Sequence, residues 1–411
     1  MKKHLSLVIL TLIFVSCSDQ QSYDPIAQIT KDISILASDS LMGREVGTAG
    51  EKMAADYIVS QFEEAKLTGK GTDGFYQSFF VKPSQNPHEE DRVGVSADSA
   101  GITGYNVLGM IDNPGDELIV IGAHYDHLGL GGVSSLHRGE ESIHNGADDN
   151  ASGVAAMMHL ARTLSGKKLN RDVLFIGMSG EEKGLWGSNY YVKNPTIDLS
   201  KVNFMINMDM VGRLDMDKGL AANGTGTSPV WNWMLDNSNS DSLKIIKSES
   251  GTGPSDHTSF YLQDIPVLHF FTGQHEDYHK PGDDADKINE DGILLVASLI
   301  ERIVVDLDDE EKIEFTKTKD ESQDNPRFTV AMGVIPDYLF DGKGMRIDGV
   351  SEDKPAQKAG LQKGDVVVQL GDSTITDMMS YMRALSTFKK GDATSVVIDR
   401  NGEQIRYEIE F

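Results

Sequence analysis

Five short fragments carry the side chains that hold divalent cations: "GAHYDH" (122–127), "NGADDNASG" (145–153), "SGEEKGLWGS" (179–188), "NMDMVGR" (207–213) and "YHKPGDD" (278–284). Carboxylates and imidazoles drawn from several parts of a chain are the donor set of hard and borderline metals. His124 and Asp126 stand two apart at the end of an apolar run, on one side of a strand, where the aspartate can accept the second ring N–H of a metal-bound histidine. Glu181 and Glu182 follow another such run, Asp209 ends a third, and His279 with Asp283 lies past a fourth. Taken singly, each fragment has a plain alternative. A glutamate pair is a solvated helix start, and Asp148-Asp149 suits a helix N-terminus through the dipole. Asp209 resists such a reading, because an unpaired charge ending an apolar strand is costly. One explanation covers all five fragments: a metal site at strand ends.

The elements that must position these groups are legible too. From about residue 104 the apolar runs 105–111, 117–126, 172–179, 202–209 and 265–271 alternate with helical stretches such as 151–166 and 291–307. That alternation predicts an α/β fold, a mostly parallel mixed sheet with helices on both faces, whose sites gather at the carboxyl ends of the strands. Helices are also expected over 26–38 and 48–66, the second with Met53, Tyr57, Ile58 and Phe62 on one face. Residues 306–325 are charged and polar and read as a linker. Beyond them come the short strand-like runs 344–350, 365–370, 394–400 and 404–411, with helical stretches between, a small β-rich domain over 326–411.

Composition narrows the function. The 411 residues carry a net charge of −26, which excludes the basic footprint of nucleic-acid binding and a polybasic attachment to anionic lipid. At the start, "MKKHLSLVILTLIFVSCSDQ" has two lysines, an apolar run and then Cys17, the only cysteine of the chain. This resembles a lipoprotein-type bacterial signal peptide, residues 1–16, cleaved before a lipidated Cys17, although Phe14 stands where such signals usually carry leucine. The expectation is an exported protein of the bacterial cell envelope, lipid-anchored at the periplasmic or outer surface. Its single cysteine excludes downstream thiol catalysis and Cys-ligated zinc.

With "SDHTSF" (255–260), the five fragments resemble, in order, those of the zinc-dependent aminopeptidase family that includes bacterial leucine aminopeptidases, transferrin-receptor relatives and glutaminyl cyclases. The resemblance spans about residues 26–305 and implies a metallopeptidase domain with two divalent ions, most simply zinc, though manganese or cobalt suit such a site. Carried over, it makes His124 and Asp209 ligands of one ion and Glu182 and His279 ligands of the other. Asp148 bridges the ions, and its peptide bond to Asp149 is cis. Glu181 becomes the general base and Asp126 the orienter of His124. Asp149, Asp256, His257 and Asp283 lie beside the ligands or face substrate. His275, His159, His127, His137 and His144 are not expected to be ligands, and Trp231, Trp233 and Met234 are assigned to packing.

The chemistry of such a set is coherent without the family. Two cations ~3.5–4 Å apart share a carboxylate and hold a water whose pKa falls to near ~7, and Glu181 can pass its proton to the leaving amine. The expected activity is removal of N-terminal residues from peptides. A glutaminyl cyclase-like acyltransferase and a non-catalytic peptide-binding or receptor protein on the same fold remain as alternatives. The last 85 or so residues resemble a bacterial PDZ domain, whose loop at Met332, Gly333 and Val334 would take a peptide C-terminus by strand addition.

Overall fold

The computed structural model describes residues 23–83, 92–94, 101–132, 134–319, 330–337, 339–340, 342–351 and 354–411, except the Arg92 and Met379 side chains; Cys17 and the expected signal segment lie outside them. The first body is a ten-stranded mixed sheet. Its strands are β1 Thr68–Gly69, β2 Tyr76–Lys82, β3 Arg92–Val93, β4 Ile102–Ile111, β5 Leu118–His124, β6 Asp172–Met178, β7 Val202–Met208, β8 Leu220–Asn223, β9 Ile245–Ser248 and β10 Val267–Phe271. They run in the order β3-β2-β4-β6-β5-β7-β10-β8-β9, with β1 paired to β4. The central block β6-β5-β7-β10 is parallel, and β4 and β8 join it antiparallel on either side. Every residue of β5 and of β7 is buried, as expected of strands covered on both faces.

On one face lie α1 Pro25–Leu36, α2 Ala49–Glu64, α3 Gly153–Leu164, α5 Trp231–Ser238 and α7 Glu290–Asp308, whose apolar sides meet Ile119, Ile121, Phe204 and Ile206 of the sheet. The other face packs Val120, Leu174, Ile176 and Met205 against Tyr191 of α4 Trp186–Lys193 and Phe260 of α6 His257–Tyr261. Helix starts follow local chemistry: Asp24, Thr48 and Asn289 cap α1, α2 and α7 by accepting from Ala27, Glu51 and Gly292 N–H. Chain order supplies the topological switch. The path leaves β5 for β6 on one side through α3, then crosses to β7 on the other through α4, so a crevice opens beyond the carboxyl end of β5.

The segment 306–325 differs from the expected linker through its described part. Residues 306–308 complete α7, where the Asp308 carboxylate accepts Asn170 N–H (2.7 Å) and Arg171 N–H (2.9 Å). The chain to 319 then straps the first body: Ile313 N–H donates to Asn203 Oδ1 (3.1 Å), Thr316 N–H to Thr227 O (2.8 Å), and Phe315 packs on Tyr261. A polar composition concealed this, because the segment is held by backbone donors and two apolar side chains rather than by a periodic apolar face.

The C-terminal body is a second sheet of β11 Val334–Pro336, β12 Met345–Val350, β13 Val366–Leu370, β14 Ser373–Thr374, β15 Ala393–Arg400 and β16 Glu403–Glu410, with α8 Pro355–Ala359 and α9 Met378–Leu385. Its ladders are antiparallel in the order β11-β12-β13-β15-β16, β11 lying at an edge. Met345, Ile347, Val367, Val396 and Ile398 form its core.

Candidate metal centre

Five of the candidate cation-binding groups converge, four at or beyond the ends of β5, β6, β7 and β10 and Asp149 in the turn before α3. His124 closes β5, and its Nε2 lies 3.3 Å from Asp209 Oδ1 and 3.4 Å from Asp149 Oδ1. Across the same aspartate, His279 Nε2 lies 3.2 Å from Asp149 Oδ2 and 3.3 Å from Glu182 Oε2. Donors held ~2.0–2.1 Å from a tetrahedral ion sit roughly 3.3–3.4 Å from each other. All four spacings match that edge, so the residues present fit two cations sharing one carboxylate. The free ring nitrogens support the assignment of donor atoms. His279 Nδ1 pairs with Ser134 O (2.9 Å) and His124 Nδ1 with Asp126 O (3.2 Å), which leaves each Nε2 facing the carboxylates.

The shared carboxylate is that of Asp149, which corrects the expectation for Asp148. Asp148 turns away: its Oδ1 accepts Gly212 N–H (2.6 Å) and the Ser152 hydroxyl (3.1 Å), and its Oδ2 pairs with His275 Nε2 (3.1 Å). The cis peptide also lies one bond later than expected, at Asp149–Asn150. What aims the pair is the backbone of residues 146–150. Gly146 has φ +54°, and a Cβ there would stand 2.1 Å from Asp149 O and 2.5 Å from the His127 ring. Asp283 holds the turn from the other side, its Oδ2 accepting both Asp148 N–H (2.9 Å) and Asp149 N–H (3.0 Å). Adjacent side chains thereby point in opposite directions.

Asp126 acts mainly on the glutamates. Its two oxygens accept the N–H groups of Glu181 (3.1 Å) and Glu182 (3.4 Å), whereas its Oδ1 lies 3.7 Å from His124 Nδ1. Glu181 borders the cavity without joining either donor set. Burial pushes its carboxyl well above the usual carboxylate range, with Asp209 and Glu182 adding to the effect. Burial and the Asp149 charge oppose ionisation of Glu182, yet His127 and His279 hold it at about 2. Burial would lower the His279 ring, but Asp149 and Glu182 push it up to about 11. Asp256 is buried behind the site, and burial raises its carboxyl to about 7. His257 is stacked on His269 at 4.4 Å and burial keeps it well below the usual histidine range.

His127, not expected to be a ligand, enters the site beside Glu182. Its Nδ1 is 2.7 Å from Glu182 Oε1, an ordinary hydrogen-bond length rather than a ligand edge, and 3.9 Å from Asp149 Oδ2. Its position directly after Asp126 was the available signal. Arg44 was missed altogether. Its buried guanidinium donates to the carbonyls of Tyr125 (2.8 Å), Asn145 (2.6 Å), Gly146 (2.9 Å) and Leu36, tying the end of β5 to the aspartate turn. His159 lies on α3 against Tyr23, Trp231 and Met234 are core, and Trp233 is exposed.

A cavity of about 170 Å³ opens from the donor groups, walled by Met210, Ala221, Pro254 and Phe271 with Asn223, His269, Gln274 and Tyr278. It is small enough to suit one side chain, and its lining mixes apolar and polar groups.

The sequence model of Peptidase family M28 matches residues 106–304, and that of the PDZ domain residues 302–411. Aminopeptidase YwaD of Bacillus subtilis is 28% identical over 227 residues, 51% of this chain and 46% of that protein, so the chain spans about half the length of this curated relative. Among solved structures, BSAP, a zinc aminopeptidase from Bacillus subtilis, superposes with a TM-score of 0.53 at 19% identity, covering 70% of this chain and 96% of that one. The Bacteroides thetaiotaomicron glutaminyl cyclase bound to N-acetylhistamine superposes with a TM-score of 0.54 at 16% identity, covering 68% and 97%. These two likenesses concern the fold alone.

Proposed function

We propose, from a chain whose residues 106–304 form a peptidase family M28 domain followed by a PDZ domain, a two-metal exopeptidase that removes N-terminal residues from peptides. The observation that carries this reading is the pair of donor sets meeting at Asp149 with spacings of 3.2–3.4 Å. His124, Asp149 and Asp209 would hold one ion and Asp149, Glu182 and His279 the other. Bound there, zinc ions supply the positive charge that polarises the scissile carbonyl and acidifies the attacking water. Glu181 takes a proton from that water and delivers it to the leaving amine as the C–N bond breaks and the C–O bond forms. His127 steadies Glu182, and Asp126 fixes the two glutamate N–H groups so that their side chains diverge. The cavity accepts the side chain of the residue being removed, and the carboxylates around it attract a free ammonium terminus.

Hydrolysis of free and N-acetylated peptides tests the exopeptidase claim; equal cleavage of both would remove it. Glu181→Gln should keep bound zinc and lose roughly 10²–10⁴-fold in kcat. Cyclisation of N-terminal glutamine without hydrolysis of other peptides would favour the cyclase alternative. Met332 is buried in the PDZ core and its carbonyl accepts Ala356 N–H (2.8 Å); the Gly333 carbonyl accepts Ser351 N–H (2.8 Å), and Val334 opens the edge strand β11. That edge is where a peptide C-terminus would add as a further strand. The N-terminal sequence supports export and lipid attachment through Cys17, which Cys17→Ser with metabolic lipid labelling would test.

A further inference from the structure

Among the described residues, Leu339 and Asp348 of the PDZ domain touch the first body, at positions next to elements that wall the cavity. Leu339, in the loop between β11 and β12, is 2% exposed, yet among the described residues it is not one of the side chains of the PDZ core. It covers Gly273 instead: a Cβ built on Gly273 would stand 3.1 Å from Leu339 Cδ1 and 3.4 Å from its Cγ. Gly273 links β10 to the loop that carries Gln274, Tyr278 and His279, all three on the cavity. The second contact pairs Lys218 Nζ with Asp348 of β12 at 3.2 and 3.3 Å. Lys218 stands in the turn just before β8, which pairs antiparallel with β10 and brings Ala221 and Asn223 to the cavity beside Phe271 and His269. The brace itself is stiff. Leu339 N–H donates to Asp337 Oδ1 (2.9 Å), and Asp337 is paired with Arg346.

We infer that the PDZ domain is a brace for the substrate pocket: Leu339 on Gly273 and Asp348 on Lys218 clamp the exit of β10 and the entry of β8, and so hold the loop 272–279 in the position that fits the substrate's first side chain. The inference rests on the exopeptidase reading for its kinetic consequence. Leu339 is a positioning residue, acting through the loop 272–279. Burial agrees with a lasting contact, because an open arrangement would leave the Leu339 side chain in solvent. A tethered domain that merely recruits substrate would instead need no apolar contact with the pocket wall.

Full-length wild type, Leu339→Asp, Leu339→Ala, Leu339→Met and Lys218→Glu are compared on a leucyl anilide with a free amine. Zinc content and amide hydrogen exchange over residues 272–279 are read on the same samples. Expected is a KM at least fivefold higher for Leu339→Asp and Lys218→Glu, with kcat within twofold, zinc unchanged and faster exchange in 272–279 alone. Leu339→Met should restore the wild-type values, and Leu339→Ala serves if the aspartate variant fails to fold. KM within twofold and unchanged exchange in both disruptive variants would overturn the brace. Should the wild type leave the anilide intact, the exopeptidase reading fails, and the exchange comparison still decides the brace by itself.

Discussion

Replacing each aspartate of the central pair separately gives opposite outcomes if Asp149 is the shared ligand. Asp149 faces His124 at 3.4 Å and His279 at 3.2 Å, so it belongs to both donor sets. A protein zinc site of four ligands is worth about 10–16 kcal/mol, or about 2.5–4 kcal/mol per ligand, which corresponds to roughly 10²–10³-fold in Kd. Asp149→Asn should therefore weaken both ions by that factor at once. Asp148→Asn removes no ligand. It disturbs the acceptors for Gly212 N–H and the His275 ring, at a cost of about 1–3 kcal/mol for buried polar groups left mispaired. For a domain of this size that is a fall in Tm of roughly 2–10 °C. Zinc per chain by mass spectrometry after dialysis, with Tm on the same samples, separates the two. Loss of zinc from Asp148→Asn with retention in Asp149→Asn would refute the assignment.

Three further outcomes follow. Burial opposes protonation of His124 and His279, yet the carboxylates raise the first well above its usual value and the second to about 11, so both rings carry protons at neutral pH in the metal-free chain. Binding must release them, and zinc affinity should rise about tenfold per pH unit for each proton displaced; calorimetry in buffers of different ionisation enthalpy checks this, and a flat affinity from pH 6 to 8 would contradict it. Arg44→Met strips the donors from four buried carbonyls and should cost about 3 kcal/mol or more in urea unfolding, because those groups have no water to turn to. A stop after residue 319 should leave a folded domain, whereas a stop after 305 removes Asp308 and the strap and should give insoluble or protease-sensitive protein; equal solubility of the two would show the strap to be dispensable.

Much of the fold was legible because its signals are local. Mostly apolar β5 and β7 and the apolar faces of α3 and α7 announce themselves in the sequence, and the residues at or just after the end of each parallel strand are where the polar cation ligands stand out. His124, Glu182, Asp209 and His279 came from that contrast. Short β8 and β9 and the eight-residue helices α4 and α5 carry too few residues to show a period. The role of Arg44 was hidden because its partners are backbone carbonyls, which leave no mark on residue type. For the same reason the strap of 309–319 looked like free linker.

By itself the sequence determined which chemistry the chain can do: carboxylates and imidazoles at successive strand ends, with no second thiol to compete, specify a cation site on an α/β sheet. Tertiary structure decided which atoms take part. Asp148 and Asp149 are chemically identical, and only the turn around Gly146, held by Asp283 across the crevice, sends one carboxylate to the ligands and the other to Gly212. A side chain's direction is set by backbone torsions and long-range hydrogen bonds, neither of which residue type alone can express.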